Sequence, residues 1–297
     1  MQRHILAVLA AALLLVGVTS PAYAQQTDLP SMQYAEGSRP TGMAGAYTAV
    51  ATGPSGLFHN PAGIATARMY AIGATYEYTP FGNVLNASVV DSQTNPKLSA
   101  GAAYSYLIGH DNEGVSGHDI RLGLAVPIMP ETISVGIGGR YAILKEGDSE
   151  LARGFTLDAG LLFQIIEQFH AGVTAKNILD ICNQPVRCRG VMPFAIAAGV
   201  SYGSESTPFR FSGDVGLDIN SEADDVNFQY EVGGEYMIAG AVPVRLGYQY
   251  RELDTSNHLT AGFGWRKSRF GIDASTNLNL NDLSSFTISS SINLYFN

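Results

Sequence analysis

From Met69 to the last residues of the chain, apolar side chains occupy every second position in a series of short segments. A period of two is typical of a β-strand, because successive side chains point to opposite faces of the sheet. Fourteen such segments of about ten residues can be counted, and this is the length that a tilted strand needs to cross a bilayer. The pattern predicts an all-β fold: a 14-stranded antiparallel transmembrane β-barrel over residues 69–297.

The two faces of the predicted strands differ in chemistry. The apolar faces often begin or end in Tyr, Phe or Trp, as aromatic girdles do, while the opposite faces carry Gly, Ser, Thr and charges. A soluble secreted all-β protein is the alternative, but it would not need strands of such uniform length. An even number of strands places both chain ends on the periplasmic side. The connections then predicted to face outside are Asp111 to Gly117, Lys145 to Gly154, Leu179 to Met192, Asn220 to Val226, Glu252 to Ser256 and Leu278 to Ser284.

Charged residues within the strands fall on the polar faces, because a charge on the lipid face is costly. Two interpretations of this predicted lumenal charge network stay open. It either holds strands and plug together through salt bridges and water, or it lines a pore that selects solutes. Its signs are mixed, so no strong ion preference is expected. Its members are Glu77, Arg121, Arg140, Asp158, Lys176, Arg210, Asp214, Asp218, Glu231, Glu235, Arg245, Arg266 and Asp273.

Residues 39–68 show no strand alternation and are rich in Gly and Ala. The sequence predicts a short helix over Gly42 to Val50, with Gly53 as its stop signal. Asn60 and Pro61 have the residue types of an N-cap and a first helical position, which predicts a second helix start.

Residues 25–68 are therefore predicted to form an N-terminal hatch, a plug inside the barrel. A flexible Gly-rich linker is the alternative, but the apolar side chains of this stretch need burial. If an apolar pocket forms between the plug and the barrel wall, its candidate lining residues are Met43, Leu57, Phe58 and Ile64.

Residues 1–24 resemble a secretory signal peptide, with Arg3 in the n-region, an apolar run of 14 residues and an Ala22-Tyr23-Ala24 cleavage site. An uncleaved anchor is the alternative. No later apolar run is long enough for a spanning helix, although 46% of the chain is hydrophobic and only 14% is charged. The combination favours the outer membrane of a Gram-negative bacterium, with its lipid as a partner.

The formal net charge is −9, and it becomes −10 when Arg3 is removed with the signal peptide. This balance argues against nucleic acid as a partner. No sequence motif of an enzyme class is found, so no catalytic residues and no cofactor are predicted. Cys182 and Cys188 are expected to pair in an oxidising compartment, with two free thiols as the alternative. A metal site is not expected, since too few ligands lie near them.

Two stretches resemble the N-terminal hatch of FadL/PorV-type outer-membrane proteins: GMAGAYTAVA at residues 42–51 and HNPAGIA at residues 59–65. The stretches at 233–250 and 259–275 resemble C-terminal strands of the PorV-type branch. The resemblance implies a 14-stranded barrel with a hatch. It also implies that Asn60, Pro61 and Ala62 are the hatch signature, with Gly42, Gly45 and Tyr47 as its packing core.

The resemblance implies one of two functions. FadL-type members move fatty acids and other hydrophobic compounds, which predicts passive transport of small, fatty-acid-like solutes and a hydrophobic small molecule as ligand. PorV-type members act in protein secretion or surface attachment, which predicts a non-transporting barrel with envelope or secretion proteins as partners. The predicted outside loops are shorter than the ligand-catching loops of fatty-acid transporters.

Overall fold

The computed structural model describes residues 37–110, 114–130, 132–179, 181–184, 188, 190–204, 206–219 and 226–296. The predicted signal peptide, residues 25–36 of the predicted hatch and parts of three predicted loops lie outside these residues. No helix of the described part of the chain is both long and apolar enough to cross a membrane.

The described chain forms one sheet of long antiparallel strands, with one additional strand of two residues. The prediction of a 14-stranded barrel is confirmed, because the long strands match the 14 alternating segments. The strands are β1 (Tyr70–Thr79), β2 (Gly82–Asp91), β3 (Ser99–Gly109), β4 (Val115–Met129), β5 (Ile133–Glu146), β6 (Ser149–Ile166), β7 (Phe169–Lys176), β8 (Ile181–Cys182, the short one), β9 (Ala195–Tyr202), β10 (Phe209–Asp218), β11 (Asn227–Ile238), β12 (Val242–Arg251), β13 (Ser256–Lys267), β14 (Phe270–Asn279) and β15 (Phe286–Phe296).

The sheet closes on itself because β1 pairs with β15, from Tyr70 opposite Phe296 to Tyr78 opposite Ile288. Every other long strand pairs with its neighbour along the chain, and β7 pairs with β9. Closure leaves no open edge among the long strands, as a barrel in lipid requires. We call the end where β1 begins and β15 ends the proximal end, and the opposite end the distal end.

The strands present an apolar outer surface and a polar inner surface. Leu122, Leu246 and Phe263 lie on the outer surface and are 61%, 63% and 64% exposed. Arg245 and Thr260, which point inward, are 1% and 0% exposed. Lipid can cover the apolar side chains, whereas the inward polar groups find partners inside the protein.

Strands β4, β5 and β6 are longer than the sequence pattern indicated, at 15, 14 and 18 residues. The predicted outside loop from Lys145 to Gly154 is wrong for most of its length. Lys145 and Glu146 end β5, Ser149 begins β6, and a turn at Gly147 joins them with a φ of 56°. The alternation of apolar residues stops in these extensions, because a strand beyond the membrane surface no longer needs an apolar face. The extensions were therefore not predicted as strands.

The N-terminal segment (residues 37–69) folds into three short helical elements: α1 (Ser38–Gly42), α2 (Gly53–His59) and a 3-10 helix (Pro61–Ala65). The predicted helix over Gly42 to Val50 is wrong, since Ala44 and Gly45 both take positive φ and end any helical continuation. Gly53 begins α2 and does not end a preceding helix. The second prediction is confirmed: Asn60 accepts a hydrogen bond from Ala62 N as N-cap, and Pro61 follows it.

This segment lies inside the barrel and contacts strands on several sides. Helix α1 lies against β12–β15, α2 against β1–β4 and the 3-10 helix against β3–β6. Glycines of the wall face it so closely that an added Cβ would come within 3.0 Å of its atoms. Such wall glycines are Gly136, Gly160, Gly172, Gly233 and Gly247.

At the distal end, a short cross-linked loop packs against the extended strands. Cys182 forms a disulfide with Cys188, and β8 pairs with β6 at Gly154. The buried Cys188 sulfur belongs to an apolar cluster that includes Leu144 and Leu151. This loop adds an apolar layer over the inner side of the β5–β6 hairpin.

Candidate functional site

The first half of the N-terminal segment (residues 37–50) is held by ion pairs to the inner wall. Arg39 donates from Nε and Nη2 to the two carboxylate oxygens of Glu235, at 3.1 and 2.8 Å. Arg245 donates from Nε to the same carboxylate at 2.7 Å and lies 2.7 Å from Asp273 as a second ion pair. The bidentate contact fixes both the direction and the position of Arg39.

Tyr47, which is 1% exposed, is fixed from its side chain and from its backbone. Its hydroxyl accepts a hydrogen bond from Arg39 Nη1 at 2.9 Å. Its N–H and that of Thr48 donate to Asp214 Oδ2 at 2.9 and 2.6 Å. Burial lowers the pKa of Arg39, but Glu235 and Tyr47 raise it by more, so the pKa lies above the ordinary arginine value. Arg39 therefore stays charged and keeps its pairing.

Further hydrogen bonds fix the beginning of the segment. Glu77 Oε1 accepts from Gly37 N at 3.2 Å and from the Ser289 hydroxyl at 3.0 Å. Thr260 Oγ1 donates to the carbonyl oxygen of Gly42 at 3.1 Å. The first half is thus joined to β1, β13 and β15 as well as to the ion-pair cluster.

The second half (residues 53–65) is held by one amide and by apolar packing. Asn60 Nδ2 donates to the carbonyl oxygens of Thr48 and Leu161 at 3.1 Å each and of Val173 at 3.4 Å. Asn60 is completely buried, and its Oδ1 accepts from Ala62 N. The side chain therefore joins the two halves to each other and to strands β6 and β7.

Apolar side chains of the second half pack into the apolar cluster at the distal end that includes Leu144 and Leu151. Leu57, Phe58 and Ile64 are at most 6% exposed and contact a cluster that includes Val84 and Leu107 of the wall. Met43 and Tyr47 of the first half belong to a separate, smaller cluster. Burial of this kind is favourable but has no preferred direction.

A second group of charges lies next to the second half, toward the distal end. Asp119 accepts from Arg121 Nε at 3.1 Å and from Arg140 Nε at 2.6 Å. Arg140 also donates to Asn177 Oδ1 at 3.2 Å. The Arg121 guanidinium lies 4.8 Å from the centre of the Phe58 ring, which brings charge against the apolar segment.

Two cavities flank the N-terminal segment. The distal cavity, of about 120 Å³, is lined by residues that include Arg121, Arg140 and Glu231. The proximal cavity, of about 290 Å³, is lined by residues that include Arg39 and Arg266. Phe58 lines both cavities. The segment therefore separates a distal space from a proximal space inside one barrel.

The four predicted ligand-lining residues do not share a pocket. Phe58 lines both cavities, whereas Met43, Leu57 and Ile64 line neither of the two and are buried in side-chain packing. The walls of both cavities are polar and apolar in nearly equal parts. The hatch residues predicted from the resemblance lie at contacts with the wall, Gly45 near Glu231 and Ala62 near Gly136.

The predicted lumenal charges fall into two groups at different depths. Glu235, Arg245, Arg266 and Asp273 surround Arg39, and Arg210 lies beside Glu235 in the register of β10 and β11. The distal group contains Arg121, Arg140, Asp158, Lys176, Asp218 and Glu231, all of which line the distal cavity. Asp214 and Glu77 instead bind the backbone of the segment.

Two charged partners in these networks, Arg39 and Asp119, were not among the predicted lumenal charges. The alternation did signal Asp119, since it lies two residues before the inward-facing Arg121 and therefore on the same face. No local pattern signalled Arg39, because its partner Glu235 is 196 residues away along the chain.

Comparison with solved structures finds proteins of the same architecture. The CymD monoaromatic hydrocarbon channel matches with a TM-score of 0.66 at 13% identity, over 90% of this chain and 98% of that chain. The Ralstonia pickettii toluene transporter TbuX gives 0.62 at 12% identity, over 88% and 98%. The P. putida toluene transporter TodX gives 0.61 at 11% identity, over 88% and 96%. No protein-family model and no curated protein matches the chain.

At these identities the likeness establishes the fold. The chain has the same barrel fold as these channels and transporters, and this fold agrees with the predicted FadL-type barrel. The comparisons do not specifically support the PorV-type branch.

Proposed function

We propose that this protein is a passive outer-membrane channel for small hydrophobic solutes, and that its N-terminal segment is the hatch. The observation that carries the proposal is the position of the segment between two cavities of one closed barrel. The shared fold with channels named for monoaromatic hydrocarbons and toluene supports the solute class. No energy source is required, because the solute moves down its concentration gradient.

The second half of the segment is the part that moves in this proposal. Phe58 lines both cavities, so a displacement of α2 changes the connection between them. Non-directional packing around Leu57 and Ile64 allows such a displacement more readily than the ion pairs of Arg39 do. Asn60, Pro61 and Ala62 follow α2 directly and act as the hatch signature that returns it to the closed position.

A reversible cross-link between hatch and wall tests this mechanism. The Cβ of Pro54 lies 3.4 Å from the position of a Cβ added at Gly73, close to the spacing of a disulfide. The double substitution Pro54→Cys and Gly73→Cys therefore joins α2 to β1 under oxidising conditions. We expect cells that make this variant to take up radiolabelled toluene slowly when oxidised and at the wild-type rate after mild reduction.

Single-cysteine variants and the wild type with and without reductant are the controls, since reduction also reaches Cys182 and Cys188. Unchanged uptake in the oxidised double variant would show that α2 is not the gate. Wild-type uptake no faster than that of cells without the protein would overturn the transport function. In that case, stoichiometric co-purification with envelope proteins would favour a PorV-type secretion or attachment barrel. Parallel uptake of a labelled long-chain fatty acid separates the fatty-acid-like solute from the monoaromatic one.

A further inference from the structure

The outer surface of the barrel changes its chemistry toward the distal end of strands β3 to β6. The antiparallel register aligns the outward-facing side chains of these four strands in rows. The first row is apolar and aromatic, and all its members are exposed: Tyr104, Ile120, Tyr141 and Phe155. Aromatic rings at such a level are typical of the girdle at the boundary of the hydrocarbon core.

Two further rows follow toward the distal end, and most of their members are polar. The second row contains Tyr106, His118, Ile143 and Arg153, and the third contains Ser116, Lys145 and Glu150. The His118 ring lies 5.0 Å from that of Tyr106, and its Nδ1 lies 2.8 Å from the Tyr104 hydroxyl. His118 therefore connects the aromatic row to the rows that carry the cations.

The third row lies beyond the hydrocarbon core. Strand β5 begins at Ile133 at the proximal end, and about ten residues of a tilted strand cross the bilayer. The crossing is complete near Ala142, so Lys145 lies on the order of 10 Å further along the strand, at about 3.4 Å per residue. Strand β6 is extended in the same way, since it begins at Ser149. The outward face of this extension therefore meets lipid head groups and not acyl chains.

The outward face of the extension carries an excess of positive charge. Arg153, whose side chain is 51% exposed, pairs with Glu150. Lys145 lies opposite the same carboxylate in the register of β5 and β6. Glu146 alternates to the inner face, and Asp148 lies in the turn of the hairpin. One carboxylate thus faces two cations, although the chain as a whole carries a net charge of −9.

No other Lys or Arg of the described residues lies on the outer surface at the distal end. Lys176 lines the distal cavity, and Arg251 lies opposite the buried Ser256, on the inner face. On β11 and β12 the outer surface at this end is aromatic, with the Tyr230 ring 6.4 Å from that of Tyr250. The outward cations are therefore confined to the strands that extend beyond the membrane.

We propose that the outward face of the β4–β6 extension binds a phosphorylated glycolipid of the outer leaflet. The phosphates lie at Lys145 and Arg153, and the acyl chains lie along Tyr141 and Phe155 of the first row. Guanidinium and ammonium groups are good partners for phosphate oxygens. Each cation at a membrane surface strengthens the binding of an anionic lipid about fivefold.

Two features favour a glycolipid as the occupant. The site is continuous with the lipid-facing surface, because the apolar row passes directly into the cationic rows. The two cations also lie at different heights, since Arg153 is opposite Ile143 and Lys145 is two residues further along. A head group of several sugars and phosphates spans this distance better than a single phosphate does.

The location of the site follows from the predicted orientation of the barrel. With the proximal end on the periplasmic side, as the sequence predicts, the extension lies at the outer leaflet. The inference goes beyond the proposed transport and shares only the outer-membrane location with it.

Native mass spectrometry of the purified full chain, released from a non-ionic detergent after titration with diphosphoryl lipid A, tests the site. We expect one lipid molecule to bind saturably. The double substitution Lys145→Gln and Arg153→Gln should weaken binding about 25-fold, which is about fivefold for each cation. The matched control is Lys267→Gln with Arg269→Gln, which removes two exposed cations at the proximal end and should leave binding unchanged.

Glu150→Gln provides a readout of opposite sign. It removes the carboxylate beside both cations, so lipid A should bind more tightly, which a merely structural role of these residues would not produce. The heat-induced mobility shift on a gel shows whether each variant is folded. If the double variant fails to fold, Lys145→Gln alone should still weaken binding about fivefold.

The remaining outcomes separate the sources of phosphate. Phosphatidylglycerol should bind more weakly than lipid A, and equal affinity would overturn the assignment to a glycolipid. Inorganic phosphate should not displace lipid A, and displacement would overturn the assignment to a lipid. Unchanged affinity in the folded Lys145 and Arg153 variants, or an equal loss in the proximal control, would overturn the site itself. Failure of toluene uptake by the wild type would overturn the proposed transport and leave this binding result intact.

Discussion

The two halves of the N-terminal segment are attached to the same barrel by different physical means. The first half is held by directional contacts to charged groups, with Arg39 on Glu235 and the Tyr47 and Thr48 N–H groups on Asp214. The second half is held by packing of Leu57, Phe58 and Ile64 and by the amide of one asparagine. The first attachment is directional, whereas the apolar packing of the second half has no preferred direction.

In the proposed mechanism, this difference corresponds to separate tasks of the two halves. A bidentate ion pair loses most of its energy when its partners shift, because the remaining buried charges are left unpaired. An apolar contact loses energy only in proportion to the area that becomes uncovered. The proposed hatch therefore combines an anchor that is held by charges with a part that is held mainly by apolar packing.

The largest expected effect comes from breaking the anchor. Glu235→Gln leaves Arg39 and Arg245 without their shared carboxylate charge, and we expect it to destabilise the barrel by about 3–5 kcal/mol. Thermal unfolding followed by circular dichroism measures the change. The control is Glu150→Gln, which breaks a more exposed pair with Arg153 and should cost less than about 1 kcal/mol. Equal effects of the two substitutions would contradict the anchor role of Glu235.

The packing of the second half is tested by Leu57→Ala. Leu57 is 5% exposed, so its truncation should cost about 2–5 kcal/mol through lost burial and the cavity left behind. Uptake of labelled toluene should rise, because α2 is then held less firmly. Leu283→Ala, at a residue that is 70% exposed, is the control for both measurements. A stable variant with reduced uptake would argue against movement of α2.

The fit between wall and segment is tested by Gly136→Ala. The added Cβ would overlap the backbone at Pro61 and Ala62, with an expected cost of about 1–3 kcal/mol. Gly139→Ala is the matched control in the same strand, where the nearest atom is a ring carbon of Phe155 at 3.6 Å. The temperature at which each variant loses its folded mobility on a gel distinguishes Gly136→Ala from Gly139→Ala. A stable Gly136→Ala barrel would mean that the segment lies less tightly against β5.

The smallest expected effect is that of Asn60→Ala. It removes the N-cap of the 3-10 helix and the amide contacts to Leu161 and Val173, with an expected cost of about 0.5–2 kcal/mol. The matched control is Asn281→Ala, which removes an exposed amide at the distal end. Unfolding in urea measures both. If both variants lose the same free energy of unfolding, the contacts of Asn60 between the two halves do not contribute to stability.

The sequence predicted the strands well because lipid imposes a strict alternation on the outer face. Phe211 and Val215 had to be apolar, so the face of Asp214 followed directly. The same rule failed for the distal parts of β5 and β6, where Lys145 and Glu150 lie in strands beyond the alternating region. There the strands are specified by pairing with each other, which leaves no apolar pattern to detect.

The candidate site was only partly predictable for a related reason. Alternation gives the face of Glu235 and Arg245, and the register of β11 and β12 then places them opposite each other. No pattern in the chain states that Arg39 reaches Glu235, since that contact depends on how the segment folds after the barrel closes around it. The prediction of a helix over Gly42 to Val50 was wrong because Ala44 adopts a positive φ. Alanine rarely adopts this conformation, so its presence in the sequence does not indicate it.

The wall glycines that contact the N-terminal segment limit whether this segment can be replaced by one from another barrel. Gly172 fits the backbone of Thr48, and Gly233 and Gly247 fit that of Met43, with no space for a methyl group. A segment with larger side chains would need smaller residues in the wall, but the wall residues at these contacts are already glycine. An N-terminal segment transplanted from another barrel with a different path therefore meets backbone atoms and not flexible side chains. Segment and barrel can vary only together, so a chimera that swaps one of them should fail to assemble even when both parents are stable.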